Sequence, residues 1–518
     1  MLNLLSVLLL LLFYPAPALL ASDFGALLNR AEEHLEGWQA HKAYGDAVLA
    51  LGAASNDAEQ SLAREMLSRA AFFKGDYLEA LRHAEESKRQ GGMGSMFPYL
   101  RKAVETWARF NEVLSEHFAL RFIHPKDEVL VHYALSALEK SYDELGSLLG
   151  IKPEERVIVE IYPTLESFTH ATTLTYDEVR TTGVVGVCNF GRIMVLSPRL
   201  LPKGYPWLDT LSHEYVHYLL FVGGRNRVPV WLHEGTAKYF EKRWRGEGDW
   251  LSPLHETLLV EALQTNSLVP LSHMHPSFAK LPSSKHSQLA FAEVSSMVAY
   301  LEDRWGKGAV PRLIKALGDG VEFEHAFREL TGLGIAEFTG RWEQNLRKKG
   351  LQARIPKPIV KELQFAEEHG DSKRTDLRDV EVKEAKDHVL LGDLLSARGR
   401  HKAAAYEFKK ALYFDPTSPV IANRLAGAKI AHGDFKGARD VLLKSISLYP
   451  DYFDSHLNLG RSYEEAGEWE SARLSYESAL AINPFSPELH ARLASIYEGL
   501  GLREEALRQK KMLEILTR

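Results

Sequence analysis

The sequence holds one cysteine, Cys188, in 518 residues. That excludes an intramolecular disulfide and any metal site built from several cysteines; a single thiol fits a buried, unreactive position. An excess of one charge is lacking too. Lysine plus arginine number 63 against 69 aspartate plus glutamate, a formal net charge of −6. No basic block exists, so nucleic acid is not an expected partner. The one short basic run, Arg347-Lys348-Lys349, closes a helical pattern, where cations complement the helix dipole. After the first twenty residues no stretch is apolar for long enough to span a bilayer. What remains is an ordinary globular composition, 45% apolar and 25% charged. At this length it is expected to divide into two to four domains.

The N-terminus is different. Leu2 to Leu20 is almost wholly apolar, with small-residue endings at Ala16-Pro17-Ala18 and Leu19-Leu20-Ala21 before Ser22-Asp23. This is the pattern of a secretory signal peptide over residues 1–21 and predicts export to a periplasmic or extracellular compartment. Pro15 and Pro17 favour cleavage. The lack of a leading lysine or arginine, and a length that nearly spans a bilayer, leave an uncleaved membrane anchor as the alternative.

The C-terminal third repeats. Gly399, Gly433, Gly467 and Gly501 stand 34 residues apart; so do Ala404, Ala438, Ala472 and Ala506, and so do Pro416, Pro450 and Pro484. Gly392, Ala426, Gly460 and Ala494 keep a small residue in a fourth register. The small residues allow two helices to approach, the glycine turns the chain between them, and the proline stops the second helix. The pattern resembles tetratricopeptide repeats over residues 387–518, which implies an α-solenoid whose concave surface binds a protein partner or positions a protein substrate. "FFKGDYLEALRHAEES" at 72–87 sets Gly75 and Ala80 five apart in the same way. One unit cannot bury its own face, so residues 22–110 are expected to form a small helical domain of degenerate repeats.

Residues 111–350 follow another pattern. "RVIVEIY" at 156–162 reads as a strand, and "TGVVGVCNFGRIMVLSP" at 182–198 as a hairpin turning at Asn189-Phe190-Gly191. From Trp207 onward the period is helical. Strands followed by helices predict an α+β domain. Residues 351–386, with Pro356, Pro358 and a charged run, read as a linker.

Within that domain, "TLSHEYVHYLLFVGG" at 210–224 places His213 and His217 four apart, on one helix face. Both can reach one ion, and neutral imidazole suits zinc. Glu214, beside the first histidine, is too constrained to bind but able to take a proton from water that the ion activates. Two histidines on a helix without metal is the plain alternative. The flanks favour the first reading. Pro206 opens the helix, Leu211, Tyr215 and Leu219 pack, and Gly223-Gly224 end it. Glu234 follows 17 residues after His217 in "VPVWLHEGTAKYFE", where Pro229 can start a second helix. Two antiparallel helices can bring it to the same ion. His233 is expected on another face. Asp209, four before His213, favours the helix N-terminus, with a hydrogen bond to that imidazole as the alternative; Glu241, seven after Glu234 and on its face, is an equal candidate to support a ligand.

His-Glu-x-x-His followed by Trp-Leu-x-Glu-Gly-x-Ala-x-Tyr resembles the gluzincin metallopeptidases, and is most similar to bacterial peptidase MA-like domains, often joined to tetratricopeptide repeats. The likeness extends over most of 111–350, including "HFALRF", the 156–162 strand, the hairpin and "HAFRELTGLGIAEFTGRWEQNL" at 325–346. It implies a thermolysin-like domain with an antiparallel edge strand and a helical zinc site. His213, His217 and Glu234 would be the ligands, Glu214 the general base, and a fourth, open position would mark a catalytic zinc. Residues 183–188 would be the edge strand that pairs with a peptide backbone. Two departures stand out. The family's oxyanion-stabilising tyrosine falls at Phe291, in Phe291-Ala292-Glu293-Val294, and a phenyl ring donates no hydrogen bond. Losing one such donor typically costs about 10²–10³ in turnover. His286, Tyr205 and Tyr300 are the substitutes at hand. The Gly-x-Met-Glu-Asn stretch of the aminopeptidase branch is also missing from the hairpin, which argues against N-terminal trimming.

The expectation is thus an exported zinc metallopeptidase acting on a peptide or protein, with a repeat array for a protein partner. The rival is a scaffold that keeps the fold and metal but has little turnover, favoured by Phe291 and opposed by Glu214. A metal-free interaction protein is the third possibility.

Overall fold

The computed structural model describes residues 23–518 except 93–99, 102–103, 105, 173, 202, 248–249, 357–359, 361–362, 364 and 366–375; the predicted signal segment lies outside the described residues. None of the described helices is long and apolar enough to cross a membrane.

Four helices open the fold: α1 (Asp23–Glu36), α2 (Ala40–Ala53), α3 (Asp57–Phe73) and α4 (Tyr77–Arg89). Alanines 31, 43, 47, 63, 70, 71, 80 and 84 are buried where they cross, so the close packing expected of degenerate repeats is realised through small side chains. Gly75, at φ +72, turns α3 into α4 against the Arg121 side chain.

A five-stranded sheet follows, in the order β1 (Asn111–Leu114), β2 (Phe118–Phe122), β3 (Val157–Tyr162), β5 (Arg192–Leu196), β4 (Gly186–Asn189). Its centre is parallel, β2 with β3 and β3 with β5, because helices make the crossovers: α5 (Glu128–Leu149) between β2 and β3, then α6 (Leu165–Thr172) and α7 (Tyr176–Thr182). The antiparallel pairs lie at the edges, and β4 is one of them. The hairpin turns at Phe190 and Gly191, both at positive φ (53° and 71°), the conformation that a two-residue turn demands.

β3 is buried at every position because both faces of the sheet are covered. One face receives Phe72 and Tyr77 from the first helices. There Arg192, with no exposed surface, lies 4.2 Å over the Phe72 ring and 3.3 Å from Glu160 of β3. Tyr162 donates to that carboxylate at 2.7 Å, and Tyr77 donates to it as well. A charge buried this deeply is tolerable only when paired in this way, so the pair fixes how the N-terminal helices seat on the sheet.

The other face carries α8 (Trp207–Gly224). Beyond it come α9 (Val230–Phe240), α10 (Pro253–Thr265), α11 (Ser284–Trp305), α12 (Ala309–Gly318), α13 (Phe323–Thr331) and α14 (Ile335–Lys348). In the expected linker, the chain at 354–355 hydrogen-bonds to Thr257, Leu363 bonds to the Arg180 carbonyl, and Phe365 is buried. The array comprises four helix pairs: α15 (Lys383–Ala397) with α16 (His401–Phe414), α17 (Pro419–Ala431) with α18 (Phe435–Leu448), α19 (Phe453–Glu465) with α20 (Trp469–Leu480), and α21 (Pro487–Gly499) with α22 (Arg503–Thr517). The repeat glycines 399, 433, 467 and 501 sit at φ between 71° and 85°, which explains their type. Gly392 and Gly460 are small because Phe408 and Tyr476 lie against them.

Candidate metal centre

α8 begins after Pro206 and ends at Gly224. The end is where Gly223-Gly224 predict it, but the glycines are not the left-handed cap. The left-handed residues are Arg225 (φ 48°) and Asn226 (φ 60°), and the glycines serve approach instead. A Cβ on Gly318 would stand 2.1 Å from the Gly223 carbonyl, and one on Gly223 would meet Ile151 at 2.3 Å. The turn that follows reverses the chain into α9, led by Pro229.

This antiparallel pair brings His213, His217 and Glu234 together, and they are the one such cluster of possible metal ligands among the described residues. The two Nε2 atoms are 3.1 Å apart. Glu234 Oε2 lies 3.7 Å from Nε2 of His213 and 3.4 Å from Nε2 of His217. A tetrahedral zinc with bonds of about 2.0–2.1 Å holds its ligands about 3.3–3.4 Å apart, so the donor triangle has the size and chemistry for that ion. Charge fits as well. Burial works to raise the Glu234 pKa, but the two imidazoles overcome it and hold the carboxyl well below its usual range. Burial works to lower His213, and Glu234 and Glu241 outweigh it, pushing it up to about 9. The cluster demands positive charge among its carboxylates.

The opposite ring nitrogens are occupied. Glu241 Oε2 accepts from His213 Nδ1 at 3.2 Å, and Lys238 donates to the other Glu241 oxygen at 2.7 Å. His217 Nδ1 meets His233 Nδ1 at 2.5 Å, with the rings stacked at 4.6 Å. Burial first, and the neighbouring His217 after it, keep the His233 pKa well below normal, so its neutral ring is an acceptor for an N–H on His217 Nδ1, the arrangement in which Nε2 would face an ion. His233 therefore does not face away, as expected from its place beside Glu234. The start of α9 turns under α8, so neighbouring positions touch different sides of His217. Asp209 does not reach His213. It accepts from Trp244 at 3.0 Å and Arg245 at 2.7 Å, anchoring the turn after α9.

Glu214 is buried and presses on β4. A Cβ at Gly186 would stand 2.6 Å from its Oε1, and the Cys188 backbone N–H hydrogen-bonds to it. Burial raises its pKa against the pull of His217 and His213. The Cys188 thiol, buried and beside that carboxylate, is pushed well above its ordinary pKa and stays protonated. Phe291 stands edge-on to His213 with ring centres 6.2 Å apart. Of its possible substitutes, Tyr205 lines the same cleft but donates its hydroxyl to the Leu196 carbonyl at 2.6 Å. Tyr300 packs on Trp305 and Phe338, and His286 lines a separate pocket.

All of this opens into a cleft of about 620 Å³, walled by residues 182–188 on one side and by Phe278, Gln288 and Phe291 on another. Residues 137–348 match the Peptidase MA superfamily, and residues 423–487 match the tetratricopeptide repeat. A domain that matches the Peptidase MA superfamily and a repeat array are joined in one chain. Among curated proteins, TPR repeat protein oca3 of Schizosaccharomyces pombe is 29% identical over 108 residues, which is 21% of this chain and 38% of that protein. The match thus spans little more than a third of that relative. Among solved structures, a MamA protein shares 29% identity over 25% of this chain and 70% of its own (TM-score 0.24). The first TPR domain of human RPAP3 shares 22% over 24% of this chain and 97% of its own (TM-score 0.22).

Proposed function

We propose that the chain is an exported, zinc-dependent peptidase whose repeats bind a protein partner or hold a protein substrate. The observation that carries this reading is the Nε2, Nε2, Oε2 triangle with separations of 3.1, 3.4 and 3.7 Å, opening into a cleft that Glu214 also lines. When bound by His213, His217 and Glu234, zinc supplies a Lewis acid that polarises the scissile carbonyl and acidifies water. Glu241 and His233 fix the two ring orientations. Glu214, its pKa raised by burial, takes a proton from water in the cleft and passes it to the leaving amine nitrogen. β4, at the edge of the sheet and along the cleft, offers backbone groups to an extended peptide, which orients the scissile bond.

Phe291 supports the second reading, a scaffold with little turnover, because it places a ring without a donor beside His213. One experiment separates the two. Metal content is measured on the purified protein, and cleavage of a broad peptide library is compared with Glu214→Gln. Zinc near one equivalent with cleavage lost in the variant supports the peptidase; zinc without any cleavage supports the scaffold; no zinc removes both. Export follows from the apolar leader, and N-terminal sequencing of the exported protein tests it by finding a new end between residues 19 and 23.

A further inference from the structure

The array is joined to the peptidase domain through a turn between its repeats and through its last helix. In the third repeat, the Tyr205 N–H donates to the Ile482 carbonyl at 3.1 Å, and a Cβ on Gly204 would stand 2.3 Å from that same oxygen. Ala481 and Phe485 of this turn pack against the core of the peptidase domain. At the far end, Lys126 donates to the Leu516 carbonyl at 3.0 Å and Gln509 to the Tyr133 hydroxyl at 2.8 Å, while Met512, Ile515 and Leu516 close around Val129. Two separate anchorages fix the angle of the array.

One repeat back from the docked turn, 34 residues earlier, Pro450 takes the place of Pro484. The residue after it, Asp451, lines the cleft together with His213, Glu214 and Glu234. Its turn is held: His456 Nε2 donates to the Pro450 carbonyl at 2.7 Å and the Tyr452 N–H to the Tyr449 carbonyl at 3.3 Å. The polar neighbours in this wall are occupied. Lys238 donates to Glu241 at 2.7 Å, and Gln288 Oε1 is 3.0 Å from His255 Nε2. The Asp451 carboxylate is exposed and has no ion pair or side-chain hydrogen bond among the described residues. Burial works against the Lys238 ammonium; Glu241 first, and Asp451 after it, hold that pKa up.

We propose that Asp451 forms a subsite for a cationic group of a peptide bound in the cleft, so that the repeat array selects substrate at the site itself. This rests on the cleft being a peptide site. The cation is a lysine or arginine side chain or the free N-terminal ammonium, and both present N–H donors that a carboxylate accepts.

The test is affinity rather than turnover. Full-length Glu214→Gln is titrated with fluorescent decapeptides, acetylated and amidated, that carry lysine, glutamate or norleucine at each position in turn. A second, neutral set has a free N-terminus. At one position lysine should tighten binding about fivefold over norleucine, the upper range for a partly exposed ion pair; if the free amine gives the gain instead, the ammonium is the cation. Asp451→Asn should erase the preference, and Asp451→Lys should reverse it in favour of glutamate. No preference in the parent, a preference that survives Asp451→Asn, or no peptide binding overturns the proposal. If the wild type binds zinc and cleaves while its Glu214→Gln form shows no such preference, only the subsite is lost. If the wild type is inert while the Glu214→Gln form shows an Asp451-dependent preference, the subsite stands and the peptidase is lost.

Discussion

Each of the central side chains does one separable thing. In the proposed centre His217 offers Nε2, so His217→Ala should drop zinc from about one equivalent to a small fraction by elemental analysis. Glu241 meets His213 at its far nitrogen and Lys238 at the other oxygen; Glu241→Gln should retain the ion but weaken it about 10–100-fold in a chelator competition. Glu214→Gln keeps shape and removes the proton acceptor, so cleavage should vanish with zinc unchanged. Phe291→Tyr, beside His213, should raise turnover if the oxyanion lacks a donor; a silent result in a zinc-loaded protein moves the reading to the scaffold. The two histidines were legible because helical spacing decides which side chains share a face, and Glu234 because a short turn can return the chain beside them. His233 was not. Its contact with His217 arises between two helices, and the angle at which α9 enters is set by the turn at 225–229, which no periodicity encodes. Asp209 does sit in the first turn of α8, but its partners Trp244 and Arg245 were hidden for the same reason, since they reach it from beyond the next helix.

Elements meet here through glycines and one buried acid. α9 crosses α11 at Gly235, where a Cβ would stand 2.5 Å from the Val294 carbonyl oxygen. Backbone cannot yield as a side chain can, so Gly235→Ala should cost about 1–3 kcal/mol in denaturant unfolding and loosen zinc by shifting Glu234 next to it. The sequence shows that glycine as part of a motif, but the helix that requires it lies some sixty residues on, which is why the reason was hidden. On the same helix Glu293 accepts from the Val269 N–H at 2.9 Å, and its other oxygen has no partner. Burial pushes its pKa up to about 8, so the folded state holds a proton that the unfolded chain has released. Its contribution to stability is therefore intact below about pH 4.5 and is lost as the pH rises towards 8, by at most about 1.4 kcal/mol per pH unit. Glu293→Gln keeps the donor–acceptor geometry without the charge. It should flatten the stability profile between pH 5 and 8, and a profile unchanged from the parent would place the proton elsewhere.

At the scale of the whole molecule, the repeats were legible as repeats, because a 34-residue period with small residues at fixed registers has few other meanings. Their docking was not. The residues that attach the array, Phe485, Gln509 and Met512, occupy positions that a solenoid leaves variable, and the period says nothing of what lies outside it. The array still owns its core: Ala404, Phe408, Leu425 and Leu442, then Leu457, Tyr476, Leu489 and Leu493, are buried among its own helices. Residues 376–518 should therefore fold alone, with a helical circular dichroism spectrum and a cooperative melt. The fragment also uncovers Phe485, Met512, Ile515 and Leu516, which the domain built on the sheet shelters in the full chain. It should melt at a lower temperature than the array within the full-length protein. Phe485→Ser and Ile515→Ser should bring the full chain down towards the fragment while changing the fragment itself little. A disordered fragment would mean that the array's own core does not suffice. A fragment as stable as the intact array would mean that the docking contributes nothing, and that Asp451 is not held at the cleft.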